Sequence, residues 1–253
     1  MNNLVHSPLQ ARLRALTPAR VGLGQTGVSQ QTRDVLDFQR AHAQARDAVH
    51  ARLEPAALAA SFGAITGSPV LRLCSAARDR VTYLQRPDLG RRLDKGSREK
   101  LASLVKLQPG PWDLALVVAD GLSALAVERH VLPLLEEWLP QLESWRTAPV
   151  CLVEQGRVAI ADEIGAAWQA QLAVILIGER PGLSSPDSLG AYITWQPRVG
   201  RTDAERNCIS NIRAEGLGYA QAVAQLIHCL TEARQRQLTG VALERDSHLL
   251  KEG

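Results

Sequence analysis

Short apolar runs alternate along this chain with longer segments whose apolar residues recur every three or four positions. Val70–Cys74, Leu114–Ala119, Pro149–Val153, Leu172–Ile177 and Ala191–Trp195 read as strands. The runs 114–119 and 172–177 hold no polar residue, which predicts strands buried on both faces, as in a parallel sheet. Helical periodicity marks Thr32 to about Leu53, a short segment restarted at Glu54–Pro55, Ser97–Leu107, a helix from Ser123 to about Trp138, Ile160–Gln169 and Gly218–Leu238. Pro55 suits a first helical turn, whereas Pro133 predicts a bend or restart. Strands that alternate with helices predict βαβ units. The expected fold is α/β: a Rossmann-like, mainly parallel sheet flanked by helices, with a helical N-terminal region. A boundary at Gly63–Pro69 sets an arm, a Gly-rich turn and helices (1–62) apart from an α/β domain (63–253). Residues 1–19 read as an amphipathic arm, with Leu4, Leu9, Leu13 and Leu16 near one face and suited to docking on a partner.

One segment breaks the rhythm. After the strand 172–177, residues 178–213 carry Glu179, Arg180, Asp187, Arg198, Arg201, Asp203, Glu205, Arg206, Cys208, Asn211 and Arg213 among Gly and Pro. Apart from the 191–195 run they read as polar loop, and long polar connections in compact domains are usually functional. In a parallel sheet, ligands bind beyond the carboxyl ends of the strands. The loops Asp120–Ser123, Glu154–Val158 and Gly178–Gly190 leave those ends and should meet on one surface.

Composition narrows the chemistry. Hydrophobic residues are 45% and aromatics 4%, so the core must be Leu, Val, Ile and Ala, which suits layered helices on a buried sheet. The net charge of +3 comes from interleaved acids and bases, without a nucleic-acid footprint. No apolar run reaches the ~18 residues of a membrane span. Cys74, Cys151, Cys208 and Cys229 show no metal-ligand spacing, and the histidines show none either, so no protein-held metal is expected. Reduced cysteines and the lack of a signal-peptide pattern point to the cytoplasm.

Gly22, Gly24 and Gly27 fit G-x-G-x-x-G, but Pro18 and Arg20 spoil the preceding strand and a helix follows, so a turn is expected rather than a dinucleotide site. Asp120 or Ser123 reads as a helix cap at a strand end, or as the rim of a polar pocket. Glu179 could pair with Arg180, Arg198 or Arg201, or accept from ligand amides. Cys208 lies in polar surroundings with no histidine nearby in sequence, which suits a small contact residue better than a nucleophile. Asp246 and His248 begin the Asp-x-His-x-x-Gly pattern that supplies a lower ligand to cobalamin, but Lys251 stands where the glycine belongs.

The stretch GERPGLSSPDSLGAYITWQPRVGRTDAERNCISNIR (178–213) closely resembles the light, or small, subunit family of ethanolamine ammonia-lyase. So do Phe38–Asp47, Tyr83–Leu93, Val118–Ser123 and Gly156–Ile160, in the family's order. The resemblance implies an adenosylcobalamin-dependent lyase that converts ethanolamine to acetaldehyde and ammonia by a radical route. It implies a hetero-oligomer of several pairs with a catalytic large subunit, and a light chain that is inactive alone. The 63–253 domain would then cover cobalamin at the interface of the two chains. Matched motif by motif, the cofactor contacts fall on Val158, Glu179 and Cys208, with no catalytic residue on this chain. Some members carry a longer N-terminal address for a protein-shelled compartment; the short stretch before the Gly-rich turn points away from such packaging. The competing readings are a stand-alone nucleotide-binding oxidoreductase and a non-catalytic scaffold subunit.

Overall fold

The computed structural model describes residues 12–243 apart from 14, 18, 22, 24 and 27. Leu4, Leu9, the three glycines of the expected turn, Asp246 and His248 therefore lie outside the described residues. Near that turn, Gln25–Thr26 (β1) and Ser29–Gln30 (β2) form a small antiparallel hairpin, and the helix Thr32–His50 (α1) follows directly.

Two long strands organise the body. Trp112–Ala119 (β4) and Ala170–Gly178 (β6) lie side by side and parallel, buried over nearly their whole length. Their unbroken apolar runs are what a strand covered on both faces requires. Cys151–Glu154 (β5) flanks β4, and Leu71–Cys74 (β3) lies beyond it, all parallel. On the other side Leu189–Trp195 (β7) and Arg206–Ile212 (β8) run antiparallel. The result is a mixed, mostly parallel sheet of order β3-β5-β4-β6-β7-β8. That order is not the 3-2-1-4-5-6 of dinucleotide-binding sheets.

Helices cover both faces. Pro55–Thr66 (α2), Ala124–Trp138 (α5) and Tyr219–Arg236 (α7) bury Phe62, Trp138 and Leu226 against one side of β4 to β8. Lys95–Leu107 (α4) and Ile160–Trp168 (α6) bury Leu101, Ile164 and Trp168 against the other side of β3 to β6. This second layer ends at β6. The same face of β7 and β8 carries Tyr192, Cys208 and Ser210, and no helix of the described residues lies over these three.

Local chemistry sets the helix starts. Asp94 accepts the Ser97 N–H at 2.6 Å to cap α4, and Ser123 accepts the Ala126 N–H at 3.2 Å to cap α5. Helix α5 runs unbroken through Pro133, without the expected restart. The proline removes one backbone bond, while Val131, Leu134, Leu135 and Trp138 anchor the helix on the sheet around it. Besides the β1–β2 hairpin, two elements of the body were not expected. Arg80–Gln85 (α3) is a short helix capped by Asp79 on Thr82 N–H at 2.7 Å. Strand β8 occupies part of the expected polar loop, so the 178–213 segment is two strands joined by the loops 179–188 and 196–205. Among the described residues no helix is long and apolar enough to cross a membrane.

Candidate functional site

Because β5, β4 and β6 are adjacent and parallel, the loops 120–123, 155–159 and 179–188 leave the same edge of the sheet. Two glycines bring the first and last together. A Cβ on Gly178 would collide with the backbone carbonyls of Ser123 and Asp120, and one on Gly121, at φ 56°, would meet Gly178 O. The Leu122 N–H instead donates to Gly178 O at 2.8 Å, so the 120–123 loop rests directly on the end of β6.

Beside this crossing lies a cleft of about 430 Å³ walled by Tyr83, Arg157, Val158, Glu179, Arg180 and Tyr192. Two of the three residues expected from the sequence, Val158 and Glu179, stand on its walls. The third, Cys208, pairs in register with Tyr192 across β7 and β8, on the face that no helix covers. The sequence did not single out Tyr83, Arg157 or Tyr192. A signal existed for Tyr192: it is the one large polar-tipped side chain of a mostly apolar strand, and period-two spacing sets it on the face opposite Ala191 and Ile193.

Glu179 does not pair with Arg180, Arg198 or Arg201. Its carboxylate accepts from the Ser188 and Ser210 hydroxyls and from the Asn211 N–H at 3.1 Å. It therefore ties the end of β6 to the start of β7 and to β8. One of its roughly four acceptor positions, on Oε1, stays free. Gly190 makes room for it, since a Cβ there would lie 2.8 Å from Oε1. Cys208 is exposed among the described residues, and partial desolvation lifts its thiol pKa, with the Glu179 charge adding to the rise. It stays protonated at neutral pH, as a contact residue does and a thiolate nucleophile does not. Burial also raises the Tyr192 phenol above its usual range.

The cleft rests on a buried polar base. Tyr83 is wholly buried, donates to Gly156 O at 3.1 Å, and lies under the guanidiniums of Arg157 at 4.2 Å and Arg80 at 4.8 Å. Arg80 pairs with Asp120 at 3.5 Å and donates to Val49 O and Gly121 O. Asp120 is therefore not the helix cap: it accepts the Gly156 N–H at 3.2 Å, and burial pushes its carboxyl up to about 6. The 155–159 loop carrying Val158 is thus fixed from below. The 179–188 loop is fixed at its far end, where Asp187 meets Arg129 at 2.8 Å and His130 at 3.3 Å.

Comparison with known proteins agrees with this picture. The family model described as ethanolamine ammonia-lyase light chain (EutC) matches residues 8–244. An ethanolamine ammonia-lyase small subunit of Pseudomonas aeruginosa is 59% identical over 239 residues, 94% of this chain and 87% of the relative. One from Ralstonia nicotianae is 58% identical over 243 residues, covering 95% and 89%. A crossing of three loops over parallel strand ends, the motifs that build it and relatives matched along almost the whole chain converge: this chain belongs to the ethanolamine ammonia-lyase light-chain family.

Proposed function

We propose that this chain covers adenosylcobalamin at an interface with the large subunit of ethanolamine ammonia-lyase, in a cytoplasmic hetero-oligomer of several such pairs. The observation that carries the proposal is the donor set of one cleft. Val158, Glu179 and Tyr192 wall it, and Cys208 pairs with Tyr192 on the adjoining half-sheet, over which no helix of the described residues lies. These residues fit a corrinoid. The ring's rim is methyl groups and amides; the cleft offers apolar contact at Val158 and a free carboxylate acceptor on Glu179, and the uncharged thiol of Cys208 lies on the strand next to Tyr192. The backbone N–H groups of Val158 and Ala159 make no hydrogen bond within the described residues, and Arg157 Nε is buried without a partner. Such orphaned donors in a rigid wall invite a ligand.

The cofactor, when bound, supplies the radical chemistry of the ammonia-lyase reaction; the chain's own task is to bind and orient. Glu179 is held by three protein donors, so it presents its remaining acceptor in one direction. Val158 is held by the loop that Tyr83 and Asp120 anchor. Neither residue has to reorganise when a ligand arrives, which keeps the entropic cost of binding low.

The test is co-expression with the large subunit, followed by titration with adenosylcobalamin and measurement of acetaldehyde release from ethanolamine. Cofactor binding and turnover are expected only when both chains are present. A light chain that neither associates with the large subunit nor alters its cobalamin affinity would overturn the proposal.

A further inference from the structure

Next to the cofactor cleft, and sharing Arg157 and Val158 with it, is a second depression of about 400 Å³. Its wall includes Arg91, Arg157 and Arg201, the turn Val158–Ala159 and one carboxylate, Asp203. Arg201 is engaged by Glu205 and by the Trp195 and Gln196 carbonyls. The other two arginines are not neutralised. Among the described residues neither Arg91 nor Arg157 has a carboxylate within salt-bridge distance. Arg157 donates only to Tyr83 O at 3.3 Å and leaves its buried Nε without a partner. The unpartnered N–H groups of Val158 and Ala159 precede α6, whose N-terminus has no side-chain cap. Two unpaired guanidiniums, two free backbone donors and the positive end of a helix therefore meet at one place. Asp203 is the single opposing charge on the wall, against three arginines.

We infer that this depression is an anion site, formed by Arg91, Arg157 and the Val158–Ala159 N–H groups, that takes the phosphodiester of the cobalamin nucleotide tail. The inference rests on the cofactor reading above and extends it. Its chemical argument is selective. The side arms on the rim of a corrin are neutral amides, and the phosphodiester is the one anionic group of the tail. A pair of arginines therefore has a single good target on this cofactor, and guanidinium forks match phosphate oxygens in geometry as well as charge. The shared wall sets this target directly beside the residues that face the ring. Arg157 would serve both sites, since its guanidinium is stacked on Tyr83 and cannot swing away without losing that contact.

The test compares two ligands on the assembled two-chain enzyme: adenosylcobalamin, and adenosylcobinamide, which lacks the phosphodiester and nucleotide. Affinities are read by absorbance titration, without recourse to turnover. Arg91→Gln is the clean variant, because Arg91 is exposed and makes no ion pair within the described residues. It should weaken adenosylcobalamin by about tenfold, the loss of one charge-assisted contact, and leave adenosylcobinamide within about twofold. Arg91→Lys should recover part of the loss. Equal weakening of both ligands, or of neither, while the unmodified enzyme binds adenosylcobalamin, would overturn the anion site and leave the cofactor reading standing. Weaker association of the two chains with unchanged ligand preference would also overturn it, since the anion would then be an acidic side chain of the large subunit. An unmodified enzyme that binds neither ligand would overturn both readings.

Discussion

Gly190→Ala probes the Glu179 strap without touching Glu179. The backbone at Gly190 accepts an alanine, because its φ is not in the left-handed region. Removing strand glycine entropy alone would stabilise the chain by about 0.4–1 kcal/mol. The new Cβ, however, lies 2.8 Å from Glu179 Oε1, 3.0 Å from Cγ and 3.1 Å from Cδ. Contact along so much of the side chain cannot be relieved at its tip, so the carboxylate must swing out and release Ser188, Ser210 and Asn211. Ser210 and Asn211 are exposed and can turn to water, whereas Ser188 is 5% exposed and is left with a buried hydroxyl. Hydrogen bonds to a charged group contribute about 1.5–3 kcal/mol when buried and less when rehydrated. The balance is a net loss of about 1–2 kcal/mol, or roughly 2–8 °C in Tm for a domain of this size. Thermal unfolding of Gly190→Ala, Glu179→Ala and the double variant would show it. If alanine acts through Glu179, the double variant should be no less stable than Glu179→Ala. Full additivity of the two losses, or a Gly190→Ala chain as stable as the parent, would refute the reasoning. Cofactor affinity should follow the same pattern in the assembled enzyme.

Other perturbations test separate joints. Arg206 and Asp162 form an ion pair with both side chains 2% exposed, so Asp162→Ala should cost about 3–5 kcal/mol in chemical denaturation, and an apolar pair at both positions should recover most of it. Phe62 is wholly buried between α2 and the sheet, so Phe62→Ala should cost about 3–5 kcal/mol; an effect below ~1 kcal/mol would detach α2 from the core. The Glu205 carboxyl is held down at about 2 by the Thr202 N–H, with Arg201 adding to it. Its folded pKa is depressed, so its contribution is present above the ordinary value of 4.5 and is lost as pH falls from there toward 2. The Tm difference between the parent and Glu205→Gln should therefore shrink below about pH 4.5, and a gap independent of pH would contradict that assignment.

Most of the sheet was legible because its signal is local. An unbroken run such as 172–177 can only be buried on both faces, and Asp94 or Ser123 caps its helix within three residues. Strand β8 was not legible, because what makes it a strand is distant in sequence. Its Arg206 is buried in an ion pair with Asp162, 44 positions away. Its Asn207 is buried because it accepts the N–H and donates to the carbonyl of Gly240, 33 positions away. Asn211, at φ 59°, adds an irregularity that erases the period-two pattern. Read locally, these residues are a polar loop; satisfied from afar, they are a strand.

The same contrast explains the site. Val158, Glu179 and Cys208 came from motif resemblance, and nothing in their spacing of 21 and 29 residues places them together. The strand order does so, by making β5, β4 and β6 neighbours and folding β7 and β8 back onto β6. The residues that sequence reasoning passed over act through that order too. Tyr83 reaches Gly156 from a helix 73 positions away and fixes the turn that presents Val158. A cofactor-covering surface needs no acid, base or nucleophile with a recognisable spacing. It needs donors and acceptors that do not move, and Val158 and Glu179 are held in part by buried groups: Tyr83, Asp120 and Ser188. Substitutions at those three should therefore loosen cofactor binding even though none of them lies on the exposed half-sheet, and each should do so in proportion to how far it frees the loop it holds.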